Sequence, residues 1–571
     1  MGVTFGKSGS WVVDHTMDDI PLYGMRSDSP WHDSVSTISS RDTPPAYQKE
    51  PTNLVESPSH KRARKRSHWV AYTTIFVMSI GFSIVLSGVW PYLHELAPSL
   101  SKEYLGWVIA SNPLGQMVSA PLLGLWGNKV GKIRGACLTT VFFFIVGNAM
   151  YALISAFQGL GDWACFYAMI ISRFIVGVSS ANVTLCRSYV VASTTMKERT
   201  IAISIIAASQ ALGFVIGPVI QAVLTMTIPD APDDRSGWFL LDGYTAAGWV
   251  ASFLGLINLI LLTPYIFQEY NIAEKERELL KAKREKDENV KLPKPDYLAL
   301  GSILFSFFFA LFIYVLLETL AVPFVMDQYR WTEKEAVVVV GIALAAAGIL
   351  SIGMYVFNGF LIKRFDERKV MLIIGFIPLV IGTFLFLPWG NTPIPPQICQ
   401  DNNDTATTEM TTVLMASEST FDAIDGSTHT SVIAAANCKG CPVDEQEWCI
   451  STPQLPEAQL IIAFTIVVIG YPVALAVQQS IFSKILGPKP QGVWMGILTA
   501  VGSLSRILGP IFVSYVYTNL GTIWCFSILT GGMVLAFLDQ VIMYRHFVPM
   551  KVPTLDERHA YDGPAAEKPK H

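Results

Sequence analysis

Twelve apolar stretches, arranged as two groups of six around one highly charged loop, constrain the fold of this chain more than any other feature. A hydrocarbon core about 30 Å thick requires about 20 apolar residues in each spanning helix. Each stretch is close to that length, so the pattern predicts an all-α membrane protein with twelve transmembrane helices. The predicted spans are Trp69–Tyr92, Leu105–Trp126, Ala136–Phe157, Trp163–Ser188, Ile201–Leu224, Tyr244–Phe267, Leu298–Val322, Ala336–Phe357, Val370–Trp389, Ala458–Ser480, Val493–Tyr517 and Thr522–Tyr544.

The spans divide the chain into regions that differ in composition. The predicted regions are an N-terminal tail (1–68), a six-helix half (69–267), a charged linker (268–297), a second six-helix half (298–544) with a long loop (390–457), and a C-terminal tail (545–571). The first tail is rich in Ser, Asp and Pro, a composition typical of disorder. Within the linker, the mixed-charge stretch Glu274–Glu288 predicts a helix at the membrane surface.

The distribution of charge predicts the orientation in the membrane. Only 15% of the residues are charged, against about 25% in a typical soluble protein. Lys and Arg are concentrated in alternate loops, beginning with Lys61–Arg66 and including the central linker. By the positive-inside rule, both tails and the linker face the cytosol. The even number of spans independently places the two termini on one side.

Motifs for chemistry on a substrate are not found in the sequence. It has no phosphate-binding glycine-rich loop, no pair of histidines at helical spacing and no nucleophile elbow. The basic run Lys61–Arg66 lies beside a span, where anchoring and attraction to anionic lipid explain it, at about 1 kcal/mol per charge. We therefore expect no enzyme activity, no cofactor, no resident metal and no nucleic-acid partner, but a lipid bilayer around the spans.

The N-terminal tail carries two short motifs that predict partners. Pro44-Pro45-Ala46-Tyr47 is a proline motif of the kind that aromatic grooves of WW domains bind. Glu50-Pro51-Thr52-Asn53-Leu54-Val55 approximates an acidic dileucine sorting signal, with Val in the last position. The two motifs predict a WW-domain partner and sorting to endosomes or lysosomes.

The long loop 390–457 concentrates four of the eight cysteines of the chain: Cys399, Cys438, Cys441 and Cys449. Opposite the cytosol, such an even set predicts two disulfides. We favour Cys441–Cys449 with Cys399–Cys438, because closing a short loop costs less chain entropy. The other two connectivities stay open, as does a zinc site based on the two-residue gap between Cys438 and Cys441. Asn403 begins a glycosylation sequon.

The two halves share an internal repeat. Gly217-Pro218 in the fifth span has a counterpart in Gly509-Pro510 in the eleventh. The loop Gly124–Arg134 after the second span has a looser counterpart in Asn358–Arg368 after the eighth. We expect Gly213, Gly217 and Gly509 to permit close helix packing, and Pro218 and Pro510 to bend their helices.

These segments resemble the major facilitator superfamily. Gly124-Leu125-Trp126-Gly127-Asn128-Lys129-Val130-Gly131-Lys132-Ile133-Arg134 is similar to its glycine-and-basic signature, with Asn128 where that family has an acid. Arg173-Phe174-Ile175-Val176-Gly177 resembles its fourth-helix signature, and the segment from Gly213 to Pro218 resembles the fifth-helix signature of exchangers. The resemblance implies two six-helix pseudo-repeats with a substrate path between them near the midplane.

Further segments narrow the resemblance to one branch of that superfamily. They are Val89–Leu93, Leu105–Ser111, Gln210–Phe214, Glu318-Thr319 and the ten residues Ser483–Gly492. The resemblance to this branch implies a lysosomal or endosomal membrane protein linked to chloride permeation.

Ionisable residues inside spans are the candidates for a transport site. Such a group costs about 2.5–3.5 kcal/mol on insertion scales, so it usually faces a cavity or a partner. We expect Arg173, Arg506 and Glu318 to form a site for an anion between the halves, with Glu318 as a proton carrier or counter-ion. The polar residues Gln116 and Gln210 are expected to line the path. Arg187, nearer the cytosolic end, is expected to extend toward the cytosol.

Three functions remain compatible with these features. The first is an anion permease or channel, and the second is a proton-coupled carrier of a small organic solute that uses Glu318. The third is a non-conducting scaffold or sensor that acts through the tail motif Pro44–Tyr47 and the linker. Charges inside the membrane favour the two transport hypotheses over the scaffold, which needs none of them.

Overall fold

The structure is a computed structural model and describes residues 58–86, 88–100, 103–228, 241–272, 294–400, 437–443, 446–487 and 489–550. All of these residues lie in one unit, Val55–His571. The tail motifs from Pro44 to Val55, the predicted surface helix Glu274–Glu288 and the sequon at Asn403 lie outside the described residues.

The first half is a succession of helices. They are α1 (Pro58–Leu86), α2 (Val89–Leu96), α3 (Glu103–Val130), α4 (Arg134–Ala152), α5 (Asp162–Ser179), α6 (Asn182–Ala192), α7 (Met196–Thr227) and α8 (Gly243–Leu261). A 3₁₀ turn, Ile154–Leu160, follows α4. The predicted fourth span is divided between α5 and α6 by the turn at Ser180 and Ala181, and the carbonyl of Ser180 accepts a hydrogen bond from Gln116 Nε2 (2.8 Å).

The second half repeats this arrangement. Its helices are α9 (Tyr297–Tyr329), α10 (Glu333–Arg364), α11 (Glu367–Val370), a π-helical turn (Met371–Phe376), α12 (Ile377–Leu385), α13 (Trp448–Ser451), α14 (Glu457–Leu486) and α15 (Gly492–Ile542), with a final 3₁₀ turn (Met543–Arg545). Gly521 interrupts α15 with φ 85° and ψ −177°, so α15 supplies both the eleventh and the twelfth predicted spans.

Eleven helical segments of the described chain are long and apolar enough to cross a membrane. α3, the predicted second span, is not among them, although its 28 residues measure about 42 Å at 1.5 Å per residue. Its mean hydropathy is lowered by polar side chains that face the protein interior rather than lipid: Ser111, Asn112, Gln116 and Ser119. This polar face of α3 contributes residues to the candidate functional site.

The basic run at the start of α1 makes tertiary contacts. Arg64 is buried, donates to the carbonyl of Ser193 (2.9 Å) and pairs with Glu198 (3.1 Å). Lys61 lies 3.7 Å from the same carboxylate. These contacts explain why α1 begins at Pro58, before the predicted span boundary at Trp69.

Each half has its own hydrophobic core. One core lies within residues 70–267, and the other lies within 299–547 apart from Val191 and Ile203. The halves meet where α3 packs against α15 and where α7 packs against α10. In each contact, the second helix of one half meets the fifth helix of the other. This is the pairing expected of two repeats related by a twofold axis along the membrane normal.

The long loop is attached to the second half through its cysteine-rich end. Strands β1 (Ile398–Gln400) and β2 (Asn437–Lys439) pair antiparallel, with Cys399 opposite Cys438. Cys441 and Cys449 form a disulfide, as the sequence predicted for this pair. A bond between Cys399 and Cys438 stays a prediction, which the strand register favours.

Candidate functional site

A narrow cleft lies between helices of the first half and Arg506 of the second half. It is lined by α1, α3, α6, α7 and α15, together with Ser180 from the turn before α6. Three residues predicted from the sequence line it: Gln116, Gln210 and Arg506. The buried amide of Asn112 also lies there. The cleft therefore brings polar groups of both halves together at mid-helix positions.

Arg506 joins the two halves at this cleft. Its guanidinium donates to Gln116 Oε1 and to Ser503 Oγ (3.2 Å), and Ser503 donates to the same Gln116 oxygen (3.0 Å). Since the amide nitrogen of Gln116 donates to the carbonyl of Ser180, the orientation of this amide is fixed by partners on both sides. Gln116 therefore holds the arginine of the second half against the first half.

Arg187 is a second cation in this region, and the predicted direction of its side chain was wrong. It does not extend to the cytosol but donates to Gln210 Oε1 (2.9 Å), and its charge interacts with that of Arg506. The reason is geometric, because helical side chains lean toward the N-terminus of their helix. The N-terminal end of α6 adjoins α5, so the side chain of Arg187 leans away from the predicted cytosolic end of this span.

An acid faces these cations from the second half. Glu318 lies on α9, is exposed, and interacts electrostatically with Arg506. Beside it, the rings of Tyr314 and Tyr471 are stacked with centroids 4.7 Å apart. Both tyrosines interact with the Glu318 carboxylate. A carboxylate this far along a 33-residue membrane helix, close enough to interact with Arg506, indicates a polar region inside the protein rather than contact with lipid.

Arg173 lies elsewhere. It is on α5 and is 2% exposed, and its Cζ lies 4.8 Å from the ring centroid of Tyr151 on α4. Arg173, Arg187 and Glu318 all lie outside the residues that line the cleft, but Arg187 and Glu318 interact electrostatically with Arg506, whereas Arg173 interacts with Tyr151. The expected pair of Arg173 and Arg506 is therefore not assembled, and Arg187 takes the place of Arg173. The fourth-helix glycine Gly177 instead packs its backbone against that of Asn112 on α3.

The halves are closed against each other on the predicted cytosolic side of this cleft. Gly124 near the end of α3 contacts the backbone of Gly492 at the start of α15. Asn128 Oδ1 accepts a hydrogen bond from the backbone N–H of Gly492 (2.9 Å). A neutral amide thus occupies the position where the family signature has an acid. Gly131, in the following turn, has φ 72°, a conformation that favours glycine.

A second set of contacts closes the same side through α7. Lys484 at the end of α14 pairs with Glu367 and donates to Thr200 Oγ1 (3.0 Å). Thr200 donates to the same carboxylate (2.6 Å). On α10, Asn358 donates to Ser204 Oγ (3.1 Å). Residues of both halves therefore hold the ends of α7, α10 and α14 together.

Close backbone approach accompanies these contacts within each half. A Cβ at Gly213 would lie 2.6 Å from Ser79 Cβ, and one at Gly217 would lie 2.7 Å from the backbone nitrogen of Ile84. In the second half, a Cβ at Gly509 would lie 2.9 Å from Val315. The glycines thus lie where α7 crosses α1 and where α15 crosses α9. Pro218 and Pro510 follow two of them inside the same helices.

The sequence analysis did not identify the aromatic side chains around the charges. Tyr355 interacts with Arg187, and Tyr471 interacts with both Arg187 and Arg506. A hydroxyl-bearing ring in mid-span was a signal available from the sequence, since Trp and Tyr are otherwise enriched at membrane interfaces.

Comparison with known proteins agrees with this architecture. Residues 71–396 and 448–569 match the family described as the Major Facilitator Superfamily. The chain belongs to that superfamily and is therefore a membrane transport protein rather than an enzyme. Major facilitator superfamily domain-containing protein 8 of Xenopus laevis is 37% identical over 501 residues, covering 87% of this chain and 94% of that relative. The predicted resemblance to one branch is confirmed.

Solved structures share the fold at low identity. The human organic anion transporter MFSD10 superposes with a TM-score of 0.55 at 15% identity, covering 85% of this chain and all of that chain (100%). The proton:xylose symporter XylE, bound to 6-bromo-6-deoxy-D-glucose, superposes with a TM-score of 0.58 at 16% identity, covering 88% and 99%. Both support the arrangement of two six-helix halves.

Proposed function

We propose that the protein is a lysosomal membrane transporter that moves a small anion, chloride in particular, through the cleft between its halves. The observation that carries the proposal is that Arg506 of the second half lines the cleft and that its charge interacts with that of Arg187 of the first half. Two cations and one acid, Glu318, leave an excess of positive charge at and beside the cleft, inside the membrane-spanning part of the protein. Uncompensated charge is costly there, so an anion in the cleft is stabilised.

Gln116 and Gln210 position the two arginines without neutralising their charges. Gln210 and Gln116 accept hydrogen bonds from Arg187 and Arg506, so each guanidinium is positioned but not neutralised. A neutral acceptor leaves the charge of the arginine available, whereas a carboxylate in the same place would cancel it. This arrangement favours weak and reversible anion binding, which permeation requires.

The lysosomal location rests on the branch resemblance and on the sorting-like segment Glu50–Val55. The proposed topology places the tails and the linker 268–297 in the cytosol and the long loop 390–457 in the lumen. Protease added to intact lysosomes should then cut the linker and spare the long loop, and the reverse pattern would overturn the orientation.

Flux measurements on purified protein in liposomes test the anion proposal. Arg506→Gln and Arg187→Gln should each reduce chloride flux at least about tenfold, as expected for loss of a charged contact worth about 1.5–3 kcal/mol. The exposed Arg545 offers a matched control, because Arg545→Gln removes the same charge outside the cleft. Normal flux in both cleft variants would leave the anion proposal without support from the structure.

A second candidate is a proton-coupled carrier of a small organic solute, favoured by the exposed carboxylate of Glu318 beside Arg506. Protonation of Glu318 would remove the negative charge that acts on Arg506. Binding of a proton and binding of the solute would then be coupled. Glu318→Gln keeps the shape and removes the titrating group. Uptake that depends on a pH gradient in the wild type and loses that dependence in Glu318→Gln would favour the carrier over a passive anion path.

A further inference from the structure

The first helix extends beyond its predicted span, and the two faces of this extension differ. α1 begins at Pro58, ahead of the predicted span boundary at Trp69. The face toward the protein carries Arg64, which is 2% exposed and donates to Ser193 and Glu198. These contacts account for one charge of the basic run. The cations on the opposite face have a different environment.

Three cations and a tryptophan form a stripe along that opposite face. The α1 stripe consists of Arg62, Lys65, Arg66 and Trp69. At about 100° per residue in a helix, these four positions fall within about 100° of arc, and Arg64 lies about 150° from the centre of that arc. All four side chains are exposed, and Trp69 is 65% exposed. The helix therefore separates its basic run into a buried, paired face and an exposed, cationic face.

The charge of the α1 stripe is not balanced by acids of its own helix, because α1 contains no Asp or Glu. Glu198 pairs instead with Arg64 (3.1 Å) and Lys61 (3.7 Å), and both of these cations lie outside the stripe. Within the stripe, Arg66 donates to the carbonyl oxygen of Tyr265 over 3.4 Å, and this acceptor is neutral. Three positive charges thus lie together on one exposed surface.

The position of the stripe along α1 matches the depth of lipid headgroups. A bilayer is about 40–45 Å thick with its headgroups and about 30 Å thick without them, so each headgroup layer is about 5–8 Å deep. At 1.5 Å per residue, Arg66 and Lys65 lie about 4.5 Å and 6 Å along the axis from Trp69. Trp and Tyr are enriched at this interface, and Tyr265 beside Arg66 is 88% exposed. The stripe therefore lies where headgroup phosphates are within reach.

We infer that the α1 stripe binds an anionic phospholipid whose headgroup carries a phosphomonoester in addition to its phosphodiester. Lys65 and Arg66 lie at the depth of the diester. Arg62 lies about 10.5 Å from Trp69, beyond the headgroup layer of a simple phospholipid, where a projecting phosphomonoester reaches it. Such a group carries about −1.5 to −2 charges at pH 7, and arginine binds phosphate oxygens bidentately. The site is separate from the transport cleft and does not depend on the proposed function.

Binding of short-chain lipids to the full-length protein in detergent, measured by isothermal titration calorimetry, tests the inference. Dioctanoyl phosphatidylinositol bisphosphate should bind at least about tenfold more tightly than dioctanoyl phosphatidylserine, which has no phosphomonoester. The triple variant Arg62→Gln/Lys65→Gln/Arg66→Gln should weaken binding of the bisphosphate about a hundredfold, at about fivefold for each charge removed.

A matched control removes the same number and kind of charges elsewhere. Lys132→Gln/Arg364→Gln/Arg545→Gln changes one lysine and two arginines that are exposed outside the stripe, and it should leave the affinity within about twofold of the wild type. Equal weakening in the two triple variants would overturn the inference, because binding would then follow total charge.

Further arms distinguish the lipid from its parts. Soluble inositol trisphosphate should bind more weakly than the lipid, because it lacks the acyl chains that place the headgroup beside Trp69. Equal affinity for the two would overturn the inference, as would equal affinity for phosphatidylserine and the bisphosphate. If the triple variant does not fold, the single variants Arg62→Gln and Lys65→Gln decide, and unchanged affinity in both would overturn the inference.

Discussion

Asn128 at the end of α3 accepts a hydrogen bond from the backbone N–H of Gly492, the first residue of α15, over 2.9 Å. The first four N–H groups of a helix have no partner within that helix, and its N-terminus attracts acceptors. Asn128 therefore caps α15 across the boundary between the halves. Because this bond exists only when the halves are closed on this side, it stabilises one conformation of the transporter over the other.

Asn128→Ala should shift the conformational equilibrium away from closure on the predicted cytosolic side. Loss of one hydrogen bond costs about 1 kcal/mol, which changes the population ratio about fivefold. Distances between spin labels on the cytosolic ends of α3 and α15 measure the shift. Asn519→Ala is the matched control, since Asn519 donates to the carbonyl of Tyr515 within its own helix segment. Equal distance distributions in the two variants would contradict the capping role.

Asn128→Asp tests the same contact in the opposite direction. A carboxylate interacts more favourably than an amide with the N-terminus of a helix, by about 0.3–1 kcal/mol. The variant should populate the closed form more strongly and slow transport if opening on this side limits the rate. Labels on α3 and α15 should then report a narrower closed distribution than in the wild type.

The ion pair of Lys484 and Glu367 should behave as a coupled unit. Lys484→Met leaves Glu367 partly buried without its cation, and Thr200 then supplies only a neutral hydroxyl. We expect the single variant to lower the melting temperature more than the double variant Lys484→Met/Glu367→Gln, with a coupling energy of about 1–3 kcal/mol. Thermal unfolding of the four proteins gives this energy directly. Strict additivity would show that the two side chains act independently.

Gly521 should not tolerate a side chain. Its φ of 85° favours glycine, and a Cβ there would lie 2.6 Å from the Trp448 ring. Trp448 also donates from Nε1 to the carbonyl of Thr518 (3.2 Å), so this contact fastens the long loop to α15. Gly521→Ala should cost about 1–3 kcal/mol and expose the loop to protease. Gly531→Ala is the control, because nothing lies within 4 Å of a Cβ at that position.

Asp366 should make stability depend on pH in the acidic range. Partial burial by itself raises its pKa, but hydrogen bonds from the Arg368 side chain and backbone outweigh burial and hold the pKa of Asp366 below its usual value. A carboxyl whose pKa is lower in the folded state contributes stability above its unfolded pKa and loses it as pH falls through the folded pKa. Arg368→Gln should reduce this loss, measured by thermal unfolding between pH 6 and pH 3, a range set by the unfolded Asp pKa of about 3.9.

The sequence alone determined the number of spans, their division into halves and the chemistry of the groups within them. These properties are local, because a hydrophobic run has to match the bilayer thickness whatever its neighbours are. The repeat of Gly217-Pro218 as Gly509-Pro510 identified the relationship between the halves for the same reason. Each motif is a short contiguous segment, so it can be recognised without knowledge of the fold.

The tertiary structure decided which of the charged residues meet. An apolar helix shows no polar stripe that would indicate its inward face, so the rotation of α5 and α6 about their axes is set by packing. That rotation turns Arg173 into the core of the first half and Arg187 toward Gln210 and Arg506. Contacts between distant segments of the chain are long-range, and no local pattern encodes them.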